Sequence, residues 1–222
     1  MKTKLILSAA LVVFVMSACK KEKTPTQPAD PGAFKVEVSG KIVTVKNLPA
    51  DTIVSVTSQG QPIGAGHYSF FSLETNQWIS NSDSATTKWD LAFAGSTIRV
   101  NNATSGPGVG GAFVQIANFA DVTTVSADSS FRIDNHPVSY AITKGSGKGW
   151  YNYDGVNVLL TPIAGRTLII RTASGKYAKV EILNFYKGGV TLSTTASDAD
   201  KTYKQRYFTF RYTFQSNGTK IF

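Results

Sequence analysis

Two histidines (His67 and His136), one cysteine (Cys19) and two glycine-rich runs are the residues here whose type or spacing would support chemistry. A zinc site drawn from two histidines and no paired thiol needs carboxylates placed beside them. The acidic residues do not offer an obvious set. Asp198 and Asp200 read as a solvated turn, and Asp90, between Trp89 and Leu91, reads as the polar side of a strand. No Ser/His/acid arrangement is visible, so the sequence is read as a non-enzyme. The first glycine run, Ser105-Gly106-Pro107-Gly108-Val109-Gly110-Gly111, lacks the strand–loop–helix setting and the Gly-Lys-Ser/Thr ending of a phosphate loop. The second, Gly145-Ser146-Gly147-Lys148-Gly149, is followed by Trp150 where a hydroxyl should stand. Both are expected to be loops that need positive φ or that let another backbone or a ligand approach closely.

Cys19 has a different chemistry. Lys2 and Lys4 precede an apolar run from Leu5 to Val15, and Met16-Ser17-Ala18 leads into the cysteine. A positive region, a short apolar region and small residues before a cleavage point describe a secretory signal. The apolar run is shorter than the roughly 20 residues needed to cross a bilayer as a helix. A cysteine directly after the small residues is expected to be cleaved to and lipidated, with several acyl chains giving a firm anchor where one gives a marginal one. The expected organisation is a signal peptide over 1–18, the lipidated Cys19 with a disordered linker over 19–32, and a β domain over 33–222. Pro25, Pro28 and Pro31 among Lys, Thr and Gln give the linker a composition that cannot bury apolar surface. The mature domain would hold no thiol, so its stability must come from packing alone. The expected location is the outer membrane or cell surface, by lipid anchor.

Charge excludes one class. The chain carries 23 basic and 14 acidic residues. The excess is spread out and partly in the leader and linker, with no basic run interleaved with aromatics, so nucleic acid is not an expected partner.

The elements that must position these residues have period two. Phe34–Val38, Ile42–Asn47, Ile53–Thr57, Tyr68–Leu73, Trp89–Phe93, Ile98–Asn101, Phe113–Ile116, Val156–Leu160, Thr167–Arg171, Tyr177–Leu183 and Tyr207–Phe214 all alternate and are rich in β-branched and aromatic residues. That pattern predicts half-buried antiparallel strands. Gly, Asn, Asp and Ser clusters between them suit an all-β, two-sheet antiparallel sandwich with few or no helices. A short helix fits at 119–122 or 198–201. Trp150, Tyr151, Asn152 and Tyr153 beside a glycine loop form an aromatic cluster on which a flat apolar ligand or a sugar ring would stack.

In order and spacing, several segments together resemble the HmuY family of Bacteroidetes lipoproteins. They are Trp89-Asp90-Leu91-Ala92-Phe93, Ile98-Arg99-Val100-Asn101, Thr104 to Ala112, Gly145 to Tyr153, Gly165 to Thr172, Gly175 to Val180 and Tyr207 to Tyr212. The likeness runs from about residue 66 to 222. It implies a mostly antiparallel β fold, an outer-membrane or surface lipoprotein, and haem capture for a TonB-dependent receptor. It also implies two axial histidine or methionine side chains on the iron, one from a loop before the Gly-Trp segment and one just after it. This sequence departs from that pattern. Its two methionines, Met1 and Met16, lie in the leader. His136 fits the first position, but Asp154-Gly155-Val156-Asn157 offers no good second ligand. A phenolate from Tyr151 or Tyr153 is the only substitute at hand, and His67 matches no ligand position.

Two readings follow. In the first the chain is a haem-binding, hemophore-like lipoprotein, with His136 as an axial metal ligand and with Trp150, Tyr151 and Tyr153 near the ring. Lys144, Lys148 or Arg166 would then pair with the propionates. In the second it is a HmuY-like surface binding module without haem, for a glycan or a protein.

Overall fold

The computed structural model describes residue 30, residues 32–126 and residues 131–222. Cys19, the leader and nearly all of the linker lie outside the described residues. The strands, in chain order, are β1 Lys35–Ser39, β2 Ile42–Pro49, β3 Ile53–Val56, β4 Pro62–Gly64, β5 Ser69–Ser72, β6 Gln77–Ile79, β7 Leu91–Ala94 and β8 Thr97–Val100. They continue with β9 Gly111–Ile116, β10 Tyr151–Asp154, β11 Leu159–Pro162, β12 Arg166–Arg171, β13 Tyr177–Tyr186 and β14 Gln205–Gln215. Among the described residues one α-helix, α1 Asp198–Tyr203, precedes β14.

Two sheets face each other. The larger runs β1-β2-β14-β13-β12-β9 and the smaller β6-β5-β7-β8, and all strand pairs are antiparallel. Alternation puts Phe208, Phe210 and Tyr212 of β14 on the inner face, opposite Phe71 of β5 and Phe93 of β7. The Phe71 and Phe210 rings meet edge to face at 5.5 Å, and Phe93 lies 4.9 Å from Phe208. Each of these fully buried side chains is worth roughly 1.5–3 kcal/mol of removed apolar surface. With Val45, Leu91, Leu168, Ile170 and Val180 they form one contiguous core. The two-stranded hairpins β3–β4 and β10–β11 stand outside both sheets.

The outer face of the larger sheet is also covered. Val122 and Val125 pack on Ile169 of β12, beside Phe113, Phe131, Tyr177 and Phe222. Lys179, on the same face of β13, is buried and donates from Nζ to the carbonyls of Phe119 (2.9 Å) and Val122 (2.7 Å).

Where the structure departs from the sequence pattern, local chemistry overrides periodicity. Residues 119–121 form a turn rather than a helix, with Asp121 N–H bonded to the carbonyl of Asn118. Helix α1 does form at the second candidate position, capped by the Ser197 hydroxyl, which accepts from the Asp200 N–H. So Asp198 and Asp200 sit in a helical first turn rather than an irregular one. Val156–Val158 is hairpin tip rather than strand, because the Asp154 carboxylate accepts from the N–H groups of Val156 and Asn157.

Candidate functional site

The motif residues build a frame first. Asp90 is 4% exposed, not on a polar strand face as its neighbours suggested. Its two oxygens accept from Leu73 N–H and Ala173 N–H, both at 2.8 Å, tying the smaller sheet to the turn after β12. Burial pushes its carboxyl up from the usual range, against the pull of those backbone donors. Asn101, fully buried, donates from Nδ2 to the carbonyls of Thr86 (2.9 Å) and Trp89 (2.8 Å), and its Oδ1 accepts from Gly108 N–H at 2.9 Å. The first glycine run wraps around this side chain. A Cβ at Gly106 would overlap Asn101 Oδ1 and stand 2.8 Å from the Trp89 ring, so glycine is needed there for close approach.

Asp134 does the same for the long connection between β9 and β10. It is fully buried and accepts from Val100 N–H (2.9 Å), Ala141 N–H (2.8 Å) and the Ser105 hydroxyl (2.8 Å). This fixes the turn carrying His136 against the glycine loop. His136 N–H donates to Thr104 Oγ1 at 2.9 Å, and its Nε2 lies 3.0 Å from the Thr104 carbonyl oxygen.

These anchors frame a groove of about 540 Å³ on the outer face of the smaller sheet. Phe70, Ala92 and Arg99 are cross-strand partners in one row of β5, β7 and β8, so their side chains share that face. Trp89 lines the groove, 4.9 Å from the Phe70 ring, and Thr104 to Pro107 supply its polar rim. Arg99 carries the charge. Its guanidinium carbon lies 4.2 Å from the Tyr68 ring centroid and 5.7 Å from that of Tyr140, whose ring also receives Lys144 Nζ at 5.1 Å. Among the described residues Arg99 takes part in no ion pair, and its buried Nε has no hydrogen-bond partner. Tyr68 has its phenol pushed up by burial, with Arg99 pulling the other way. An apolar floor beside one uncompensated cation suits a flat ligand bearing an anionic group.

The expected site residues do not converge there. Trp150 is 3% exposed; its indole lies 5.0 Å from Phe208 and 5.7 Å from Phe185, and Nε1 donates to the Ser96 carbonyl at 3.0 Å. Tyr151 is buried beside it, its hydroxyl accepting from Gly145 N–H and Ser96 Oγ. Both rings pack in the core, and the Tyr151 hydroxyl holds the second glycine loop. Tyr153, two residues on and on the same face of β10 as Tyr151, is half exposed. Arg166 is committed to the carbonyls of Gly149 (2.5 Å) and Gly147 (2.8 Å) rather than left for a propionate. His136 borders the groove through Thr104, and the exposed His67 immediately precedes Tyr68. The groove lining itself holds no histidine or methionine, so the apolar floor and Arg99 fit a porphyrin and its carboxylates but not iron gripped from both sides. Arg99, Tyr68 and Phe70 were missed as site residues. The signal available was that Arg99 stands in an alternating strand where its partner positions are apolar.

No curated protein sequence matches the chain. Among solved structures it is similar to a candidate lipoprotein of Bacteroides fragilis (14% identity, 80% of this chain and 92% of that one, TM-score 0.48). It is likewise similar to a candidate HmuY-like heme-binding protein of Bacteroides vulgatus (13%, 81% and 96%, 0.47) and to the apo HmuY analogue of Tannerella forsythia (15%, 82% and 97%, 0.42). The HmuY protein profile matches residues 66–212, which takes in the Trp89–Asn101 hub, the two glycine loops and the Arg99 groove. A match of that extent over the residues that build the frame settles the kinship: this chain belongs to the HmuY family.

Proposed function

We propose that this protein is a lipid-anchored binding protein that captures a flat, apolar, anionic ligand of the porphyrin class in the Arg99 groove. Haem is the first candidate, and a TonB-dependent outer-membrane receptor the natural recipient. The observation that carries the reading is Arg99: a buried guanidinium nitrogen without an acceptor, beside an apolar floor and two tyrosine rings. A carboxylate of the ligand would supply the missing acceptor through a charge-assisted bond. When bound, haem would supply an iron that takes a side-chain ligand. His136, released from Thr104, would be the residue to hold it. The role is binding, not catalysis.

The anchor is part of the same proposal: cleavage before Cys19, acylation of its thiol, and a linker over 19–32 holding the 33–222 domain away from the bilayer.

The test is titration of the protein with ferric haem and with metal-free protoporphyrin IX, followed by the Soret band and by porphyrin fluorescence. Both should bind, and Arg99→Gln should weaken both by roughly tenfold to a hundredfold, the loss of one bond of about 1.5–3 kcal/mol to a charged group. His136→Ala should alter only the haem spectrum. Failure of both porphyrins to bind, or equal affinity in Arg99→Gln, overturns the reading.

A further inference from the structure

At the end of the sandwich where the two free hairpins meet α1, two hollows of about 390 and 310 Å³ lie on either side of one tyrosine. They share Tyr153, Leu160, Gln205 and Arg206 as walls, so they form one trough. Tyr153 is 49% exposed while Tyr151, two residues earlier on β10, is in the core. Tyr151 also lines one hollow, and the half-exposed Tyr153 ring lines both.

The backbone around the trough is unusual. Val158 (φ 56°) and Arg206 (φ 68°) both line it in the left-handed region, and Asp51 (φ 57°), which pairs with Arg206 from outside the lining, shares that conformation. Valine is a poor residue for that conformation, and strain of this kind concentrates at binding sites. The donors point to a ligand rich in oxygen. Lys201, 9% exposed, spends one N–H on the Thr194 carbonyl at 2.8 Å. Arg206 binds Asp51 through a single nitrogen. The Tyr186 hydroxyl accepts from Leu160 N–H, leaving its own proton to give. Among the described residues no carboxylate lines either hollow. The nearby acids are engaged: Asp51 with Arg206 and Gly66 N–H, Asp154 with its own hairpin turn.

We propose that this trough binds an acidic saccharide, with two consecutive sugar rings lying on either side of Tyr153. One C–H face of a ring stacks on the tyrosine, Gln61, Thr202 and Gln205 meet hydroxyls, and Lys201 and Arg206 meet the carboxylate. Each hollow is large enough to take one sugar, and the walls they share place the two next to each other, as consecutive sugars of a chain would be. The site is separate in residues from the Arg99 groove, so it stands whether or not that groove takes a porphyrin.

The experiment is calorimetric titration of the mature protein in detergent with a galacturonate trimer and with its neutral galactose counterpart. The acidic trimer should bind at least tenfold more tightly than the neutral one. Tyr153→Ala, an exposed change that leaves the core alone, and Lys201→Gln should each weaken it about tenfold, while Arg99→Gln leaves it unchanged. No binding of either trimer, equal binding of the two, or indifference to Tyr153→Ala overturns the proposal.

Discussion

Asn101→Ala is predicted to be among the most damaging polar substitutions in the molecule. The side chain is fully buried and makes three hydrogen bonds, to the carbonyls of Thr86 and Trp89 and from Gly108 N–H. Each net bond is worth about 1 kcal/mol, and the three groups left behind are too enclosed for water to replace every partner, so the loss is about 3 kcal/mol or more. For a chain of this size that lowers the melting temperature by roughly 6–12 °C. Asn101→Asp should be worse, although it is closer in shape. It replaces the donating amide with an oxygen that faces two carbonyl oxygens, and it buries a charge with one donor to satisfy it. The order wild type, Ala, Asp is the discriminating result, measured by urea unfolding at neutral pH. Gly106→Ala probes the same contact from the other side, since its Cβ would meet Asn101 Oδ1 and the Trp89 ring. In a double-mutant cycle its cost should be partly shared with Asn101→Ala, because truncation frees one of the two clashes. A loss under about 1 kcal/mol for Asn101→Ala, or an Asp variant as stable as the Ala variant, would refute the view of this residue as the hub of the glycine loop.

Two other predictions test the frame. Burial, assisted by the charge of Arg211, depresses the Lys179 ammonium below its usual 10.5. A depressed folded-state value means that the unfolded chain holds the proton more tightly, so the stability advantage of wild type over Lys179→Met should grow as pH rises through the folded-state value toward 10.5 and be smallest at neutral pH. Urea midpoints of both proteins across pH 7 to 11 check the sign. Val158→Gly removes a β-branched residue from left-handed backbone. It should stabilise the chain by up to about 1 kcal/mol, the left-handed penalty less the entropy of glycine; a clear drop in melting temperature would show that the Val158 side chain contributes packing beyond its exposed surface.

Most of the architecture was legible because the strands of the two main sheets alternate and the alternation is enforced by burial on one face. Tyr207–Phe214 and Tyr177–Leu183 became the centre of the larger sheet for that reason. The short strands β4 and β6 were not legible. Each has three residues, and β4 begins at a proline, so neither carries a readable period. The Val156–Val158 run deceived because its valines alternate like a strand, while Asp154 bonds to the following N–H groups and closes a turn. Asp90 deceived in the opposite way, since its partners, Leu73 and Ala173, are 17 and 83 residues distant and no local pattern announces them.

The same logic explains why the expected site residues and the Arg99 groove do not coincide. Trp150 and Tyr151 are aromatic and adjoin a glycine loop, which is how a stacking platform looks in one dimension. In three dimensions the two rings pack edge to face 4.9 Å apart within the core. Here the indole turns into the core, and the hydroxyl of Tyr151 holds the loop. A groove on a sheet is lined by residues that are neighbours across strands, and Phe70, Ala92 and Arg99 are such a row, far apart in sequence and joined only by register. What distinguishes Arg99 is the lack of an acceptor at a buried nitrogen, a property of the assembled fold that no spacing encodes. The first glycine run wraps Asn101 and lies against the turn that carries His136, while the second is held by Tyr151 and Arg166. The first glycine loop thus builds scaffold, while the groove beside it is lined by the cross-strand row.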